Sequence, residues 1–80
     1  MTIKVIGSGC ENCSQLYANA WAALMRSGIQ AELERVEDLI DIVKLGVMTA
    51  PSMMIDGKLV ISGRVAGEDE IIEILNKHKG

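Results

Sequence analysis

Two cysteines stand three residues apart between a short apolar segment and a long amphipathic one. Cys10 and Cys13 are the only cysteines of the chain, and they follow the apolar residues 3–6 and a turn at residues 7–9. Apolar side chains recur at helical spacing over residues 14–27, which predicts a helix directly after the pair. The start of a helix has unpaired N–H groups and a positive dipole end, and both favour a thiolate. The pattern therefore predicts thiol chemistry.

Length and composition limit the classes of protein to which this chain can belong. The 80 residues predict one domain, and its core must be aliphatic because the chain has no Phe, one Trp and one Tyr. A net charge of −3 argues against nucleic acid as a partner. No apolar run approaches the roughly 18 residues of a membrane span, and no basic-then-apolar leader is present. We therefore expect a cytoplasmic protein, in which two close cysteines are more often catalytic or metal-binding than a static cross-link.

The rest of the chain alternates predicted strands and helices. Residues 31–36 alternate in polarity like a half-exposed strand, and a second helix with acidic residues 37–38 in its first turn is predicted to end at Gly46. Two apolar runs on either side of Asp56-Gly57 predict a β-hairpin, and acidic residues 68–70 open a last helix. This order, βαβαββα, predicts a mixed four-stranded sheet with helices on both faces. The apolar face of the second helix is predicted to contain Val36, Leu39, Ile40, Val43 and Val47.

Three features together resemble the thioredoxin fold in its short, glutaredoxin-sized form. They are the Cys10-x-x-Cys13 pair after the first strand, Thr49-Ala50-Pro51 before the hairpin, and the βαβαββα order. The chain is most similar to the small archaeal and bacterial redox-active disulfide proteins, which share a Gly-x-Gly-Cys-x-x-Cys start, a Thr-x-Pro and an Ile-Asp-Gly-Lys turn. The resemblance covers essentially the whole chain and implies that residues 1–80 form a single α/β, thioredoxin-like domain.

The resemblance also implies a function, a thiol-disulfide oxidoreductase that acts on a protein or small disulfide substrate. It implies that Cys10 is the attacking thiolate and that Cys13 is the buried, resolving thiol. It implies a cis bond between Ala50 and Pro51, and a backbone at Thr49, Ala50 and Pro51 that lies beside the active-site sulfur and pairs with an extended substrate segment. No cofactor is implied beyond a redox-active Cys10–Cys13 disulfide. An upstream reductase would supply electrons, and we expect a monomer or weak dimer.

Residues around the cysteines are expected to modulate their reactivity. These are Gly9, Glu11 and Asn12, of which the last two replace the Gly-Pro of thioredoxin and the Pro-Tyr of typical glutaredoxins. The Glu11 carboxylate favours the neutral thiol, so we expect the pKa of Cys10 to lie below that of a free thiol without being extreme. Residues 62–66 replace the Gly-Gly and acidic pair of glutathione-binding glutaredoxins, so glutathione is not expected as the direct cofactor.

The same cysteine pair leaves other functions open. One is a soft-metal carrier for copper or zinc, because heavy-metal domains also place Cys-x-x-Cys between a first strand and a helix. Their element order is βαββαβ and they have no proline beside the site, so Pro51 and the C-terminal helix favour the redox function. Two cysteines supply only two ligands, and a closed zinc site would need a dimer or a partner. A third possibility is a subunit that keeps the redox fold but serves only to bind a partner. Its biological role would be unchanged by Cys10→Ser.

Overall fold

A computed structural model describes residues 1–8 and 11–79 of the chain. Within this part it has strands β1 (Thr2–Ile6), β2 (Glu32–Val36), β3 (Ser52–Ile55) and β4 (Lys58–Ser62), and helices α1 (Glu11–Ser27), α2 (Leu39–Leu45) and α3 (Glu68–Lys79). The strands form one sheet in the order β2-β1-β3-β4. β1 pairs parallel with β2 and antiparallel with β3, and β4 pairs antiparallel with β3. The predicted element order and mixed sheet are confirmed.

Side-chain alternation along the strands gives the sheet an apolar cluster on each face. The larger cluster lies between the sheet and helices α1 and α3, and its buried members are Ile3, Val5, Leu16, Ala20, Ala23, Met53, Ile55, Ile61, Ala66, Ile71 and Leu75. The smaller cluster lies between the other face and α2, and it contains Ile6, Val47 and Met54. Helices therefore cover both faces, as predicted.

Helix α1 begins earlier than its apolar pattern indicates. It includes Glu11 and Asn12, which are polar and exposed and so contribute nothing to the periodicity that predicts a start near Ser14. Its end is as predicted, because Gly28 has a φ of 70° and its N–H donates to the carbonyl of Leu24 at 3.1 Å. None of the helices in the described part of the chain is long and apolar enough to cross a membrane.

Helix α2 ends where predicted, but its predicted start and part of its predicted apolar face are wrong. Residues 37–38 precede the helix instead of forming its first turn, and Val36 is the last residue of β2. Asp38 caps its start and Gly46 ends it in the left-handed conformation. Three residues predicted to be buried are instead mostly exposed, namely Leu39 at 70%, Ile40 at 66% and Val43 at 76%. Ile42 and Leu45 pack against the sheet in their place. A helix of two turns with apolar residues all round has no unique apolar stripe, so tertiary packing selects the buried side.

The Asp-Gly turn forms as predicted and is joined to the central strand. Asp56 and Gly57 both have positive φ values, 48° and 84°, as the tight turn of a two-residue hairpin requires. The N–H of Thr2 donates to Oδ1 of Asp56 at 2.8 Å, and the N–H of Asp56 donates to the carbonyl of Thr2 at 2.9 Å. The hairpin is therefore held in register with the start of β1.

Candidate active site

The second cysteine of the pair lies in the first turn of α1. Cys13 is fully buried and disulfide-bonded. Glu11 and Asn12, which precede it in the same turn, are exposed. Cys10 and Gly9 lie outside the described residues, so their predicted roles stay predictions. The burial of Cys13 agrees with what the resemblance implies for the second cysteine.

Gly7 provides the space that the Cys13 side chain occupies. Gly7 is buried, and its N–H donates to the carbonyl of Val36 at 3.0 Å, which joins the end of β1 to β2. A Cβ atom at Gly7 would overlap Sγ of Cys13 and would lie 3.1 Å from its Cβ. The φ of 153° at Gly7 also disfavours any side chain. The sequence pattern predicts only a turn at Gly7. The sequence feature that could have indicated its packing against Cys13 is the position of a glycine between an apolar strand and the cysteine pair.

The segment with Thr49, Ala50 and Pro51 reaches the same place from another part of the chain. Cβ of Ala50 lies 3.6 Å from the position that a Gly7 Cβ would occupy, and that position also borders Sγ of Cys13. The Ala50–Pro51 bond is cis, as the resemblance implies. Pro51 is buried, whereas Thr49 and Ala50 are exposed. Folding thus brings Cys13, Gly7 and Ala50 together.

Three hydroxyl groups hold this segment in place. Oγ of Ser52, which is fully buried, donates to the carbonyl of Thr49 at 2.7 Å. Oγ1 of Thr49 lies 2.9 Å from Oγ of Ser52 and 2.6 Å from Oγ of Ser62. A hydroxyl has one proton, so Thr49 must donate to Ser52, and Ser62 must donate to Thr49. The Thr49 side chain, predicted to bind substrate, is therefore engaged inside the protein, and the two serines were not predicted from the sequence.

The backbone of Ala50 differs from that of its neighbours. The carbonyl of Thr49 accepts from Ser52, and the carbonyl of Pro51 accepts from the N–H of Gly63 at 2.9 Å. The N–H and carbonyl of Ala50 have no hydrogen-bond partner among the residues that the structure describes. Ala50 as a whole residue is exposed.

A guanidinium group lies against the first turns of α1. Nη2 of Arg35 is 3.2 Å from Oγ of Ser14, the residue after Cys13, and 3.4 Å from Oε1 of Glu37. The guanidinium carbon also lies 5.6 Å from the centroid of the Tyr17 ring. This positive charge adds to that of the helix N-terminus, and the Glu37 carboxylate offsets part of it.

Arg64, which follows Gly63, is paired with α3. Its Nη1 donates to Oε1 of Glu70 at 2.9 Å, and its Nη2 donates to the other carboxylate oxygen. These hydrogen bonds lower the pKa of the Glu70 carboxyl. The pair joins the segment after β4 to the first turn of α3.

The described residues give the metal-carrier alternative no support. A closed zinc site needs four ligands. Within residues 1–8 and 11–79, no three or more His, Cys, Asp or Glu side chains are grouped so that they could hold a metal ion.

The fold and the surroundings of Cys13 together define a class of protein, the thioredoxin-like thiol-disulfide oxidoreductases. Comparison with known proteins specifies the family. The thioredoxin domain family matches residues 1–76. Thioredoxin of Methanothermobacter thermautotrophicus is 41% identical over 76 residues, which cover 95% of this chain and 99% of that protein. Thioredoxin of Methanocaldococcus jannaschii is 32% identical over 78 residues, which cover 98% and 90% of the two chains.

The chain belongs to the thioredoxin family. Family membership confirms the predicted fold and the predicted function, thiol-disulfide exchange, with protein disulfides as the general class of substrate.

Proposed function

We propose that the protein exchanges disulfides through Cys10 as the nucleophile and Cys13 as the resolving thiol. The observation that carries this assignment is the position of Cys13, which is buried and disulfide-bonded in the first turn of α1, next to Gly7 and the segment of Ala50. A buried second cysteine is shielded from disulfides in solution, and the Cys-x-x-Cys spacing is typical of pairs in which the second thiol resolves a mixed disulfide.

The reaction runs in two exchanges. The Cys10 thiolate attacks one sulfur of the substrate disulfide, and the other substrate sulfur leaves as a thiolate that takes a proton from water. The Cys13 thiol then loses its proton and attacks Sγ of Cys10, which releases the second substrate thiolate. The substrate gains two electrons, and the protein is left with a Cys10–Cys13 disulfide that serves as its only redox group. An upstream reductase returns the two electrons.

Electrostatics at the helix start supports the role of Cys10. It immediately precedes α1, whose N-terminal N–H groups favour a thiolate, and Arg35 adds positive charge at Ser14. The Glu11 carboxylate opposes both effects. We therefore expect the pKa of Cys10 to be moderately lowered, which suits a reducing protein better than a strong oxidant.

The backbone of Ala50 is the proposed contact for the substrate chain. Ala50 is an exposed residue, its N–H and carbonyl are unpaired within the described residues, and its Cβ lies near Gly7, as Sγ of Cys13 also does. An extended peptide can pair with such groups as an added strand does. Because every peptide has these main-chain groups, this contact favours accessible, extended protein disulfides over a particular sequence.

An equilibrium redox titration tests the assignment. The purified protein is poised in dithiothreitol buffers with metals chelated, and free thiols are counted by alkylation and intact mass. We expect an intramolecular Cys10–Cys13 disulfide with a midpoint between roughly −200 and −300 mV. Failure to form this bond would contradict the proposal. Thiols that react only after bound copper or zinc is removed would support the metal carrier instead.

Replacing Pro51 is expected to affect protein substrates selectively. Pro51 is buried, has a fixed φ, and directly follows Ala50, so Pro51→Ala should loosen the backbone that contacts the substrate chain. Exchange with a protein disulfide such as insulin should slow by roughly ten- to a hundredfold, because small misplacements of a positioned reactant are costly. Alkylation of Cys10 by iodoacetamide in the same variant is the control and should change little. Equal slowing of both reactions would argue against this substrate contact.

The thiol chemistry also bears on the cellular compartment. Two reactive thiols in one small domain suit a reducing compartment, which favours the cytoplasm. We propose a monomer or weak dimer, and sedimentation equilibrium over a range of concentrations would measure this.

A further inference from the structure

We infer that Ser62 and Ser52 are positioning residues for disulfide exchange, because they fix Thr49 and so present the Ala50 backbone to the substrate. This inference rests on the proposed function. It gives a role in disulfide exchange to two residues that do not themselves contact the substrate. The geometry that supports it is a chain of hydroxyl groups at one end of the β3–β4 hairpin.

The hydroxyl chain has a single direction. Ser62 donates to Thr49, Thr49 donates to Ser52, and Ser52 donates back to the Thr49 carbonyl, over distances of 2.6, 2.9 and 2.7 Å. Ser52 is fully buried, so water does not compete for its hydrogen bonds. Thr49 is therefore hydrogen-bonded at two atoms, its hydroxyl and its carbonyl oxygen. These bonds restrict the movement of both its side chain and its backbone.

The end of β4 fixes both neighbours of Ala50. Ser62 bonds the Thr49 side chain, and the next residue, Gly63, donates its N–H to the Pro51 carbonyl. Ser62 is also the cross-strand partner of Ser52 in the hairpin. Ala50 is thus held from both sides, while its own N–H and carbonyl stay unpaired within the described part of the chain.

This role can be separated from a role in folding. Ser62 and Thr49 are exposed, and the hairpin is already joined by the hydrogen bonds between β3 and β4. Removing the Ser62 hydroxyl should therefore leave the fold intact and change only how firmly Thr49 is held. The effect should appear in substrate binding by the enzyme rather than in its stability.

Steady-state reduction of insulin disulfides by Ser62→Ala tests the inference. We expect kcat/KM to fall about two- to tenfold, mainly through a higher KM, because one hydrogen bond that positions the binding segment is lost. The rate of Cys10 alkylation and the disulfide midpoint should stay at their wild-type values. Ser62→Thr keeps a hydroxyl and should restore KM. Ser27→Ala, which removes a serine hydroxyl at the far end of α1, is the matched control.

A double-mutant cycle decides whether Ser62 acts through Thr49. Thr49→Val removes the hydroxyl at nearly constant shape, so Ser62→Ala should cause no further loss of kcat/KM in that background. Additive losses, or a Ser62→Ala variant with wild-type KM, would overturn the positioning role while leaving disulfide exchange by the wild-type protein in place. A wild-type protein that does not reduce insulin would overturn the proposed function and this inference with it.

Discussion

Replacing Cys13 by serine is expected to stop turnover and to leave the protein covalently joined to its substrate. Cys10 can still attack a substrate disulfide, but no thiol remains to resolve the mixed disulfide. Resolution by a neighbouring thiol is intramolecular, and its loss should lower the turnover rate by about a hundredfold or more. Intact mass after incubation with a disulfide-containing protein should show the two chains linked through Cys10.

Cys10→Ser is the matched control for this trap. It should also lose turnover, but it should form no mixed disulfide, because Cys13 is fully buried and substrate sulfur cannot reach it. Wild-type turnover by Cys13→Ser, or trapping of substrate by Cys10→Ser, would contradict the proposed division of roles between the two cysteines. Retained biological function in Cys10→Ser cells would instead indicate a binding subunit.

Gly7→Ala is expected to cause a large loss of stability and to disturb Cys13. The added methyl group would overlap the sulfur of Cys13 and approach Ala50, in a backbone conformation that side chains rarely adopt. Overpacking of a buried site, together with the strained φ, should lower the free energy of unfolding by about 3 kcal/mol. Denaturant unfolding of the oxidised and the reduced protein would measure this loss.

Gly28→Ala separates the steric effect from the backbone effect. Gly28 also has a positive φ, 70°, but no atom lies within 4 Å of the position of an added Cβ. Gly28→Ala should lower the free energy of unfolding by only about 1 kcal/mol, the usual cost of placing an alanine in the left-handed conformation. If Gly7→Ala were as stable as Gly28→Ala and its cysteines kept their midpoint, the close packing of Gly7 on Cys13 would be unimportant.

Local signals account for the parts of the fold that could be predicted. Asp56-Gly57 specifies a tight turn because both residues accept a positive φ, and Gly28 and Gly46 end helices for the same reason. The position of Cys13 near a helix start also follows from its neighbours in the sequence. Each of these predictions depends on interactions within a few residues, which a single sequence displays.

The choice of buried face on α2 depended on the sheet. Leu39, Ile40 and Val43 are as apolar as Ile42 and Leu45, yet the second group packs on the sheet and the first is exposed. Hydrophobicity alone ranks these two groups equally. The orientation is decided by which side chains meet Ile6 and Met54 once the strands have paired.

The amino-acid sequence alone was sufficient for the element order, the hairpin, the C-terminal ends of α1 and α2, and the thiol chemistry, because these follow from neighbouring residues. Only the tertiary structure placed Gly7 against Cys13, joined Ser62 to Thr49, and left the Ala50 backbone unpaired among the described residues. Gly7 and Cys13 are only six residues apart, but they belong to different elements, and Ser62 and Thr49 are thirteen residues apart, so strand register and packing decide which atoms meet. Both arise from the whole fold, and no local pattern encodes them.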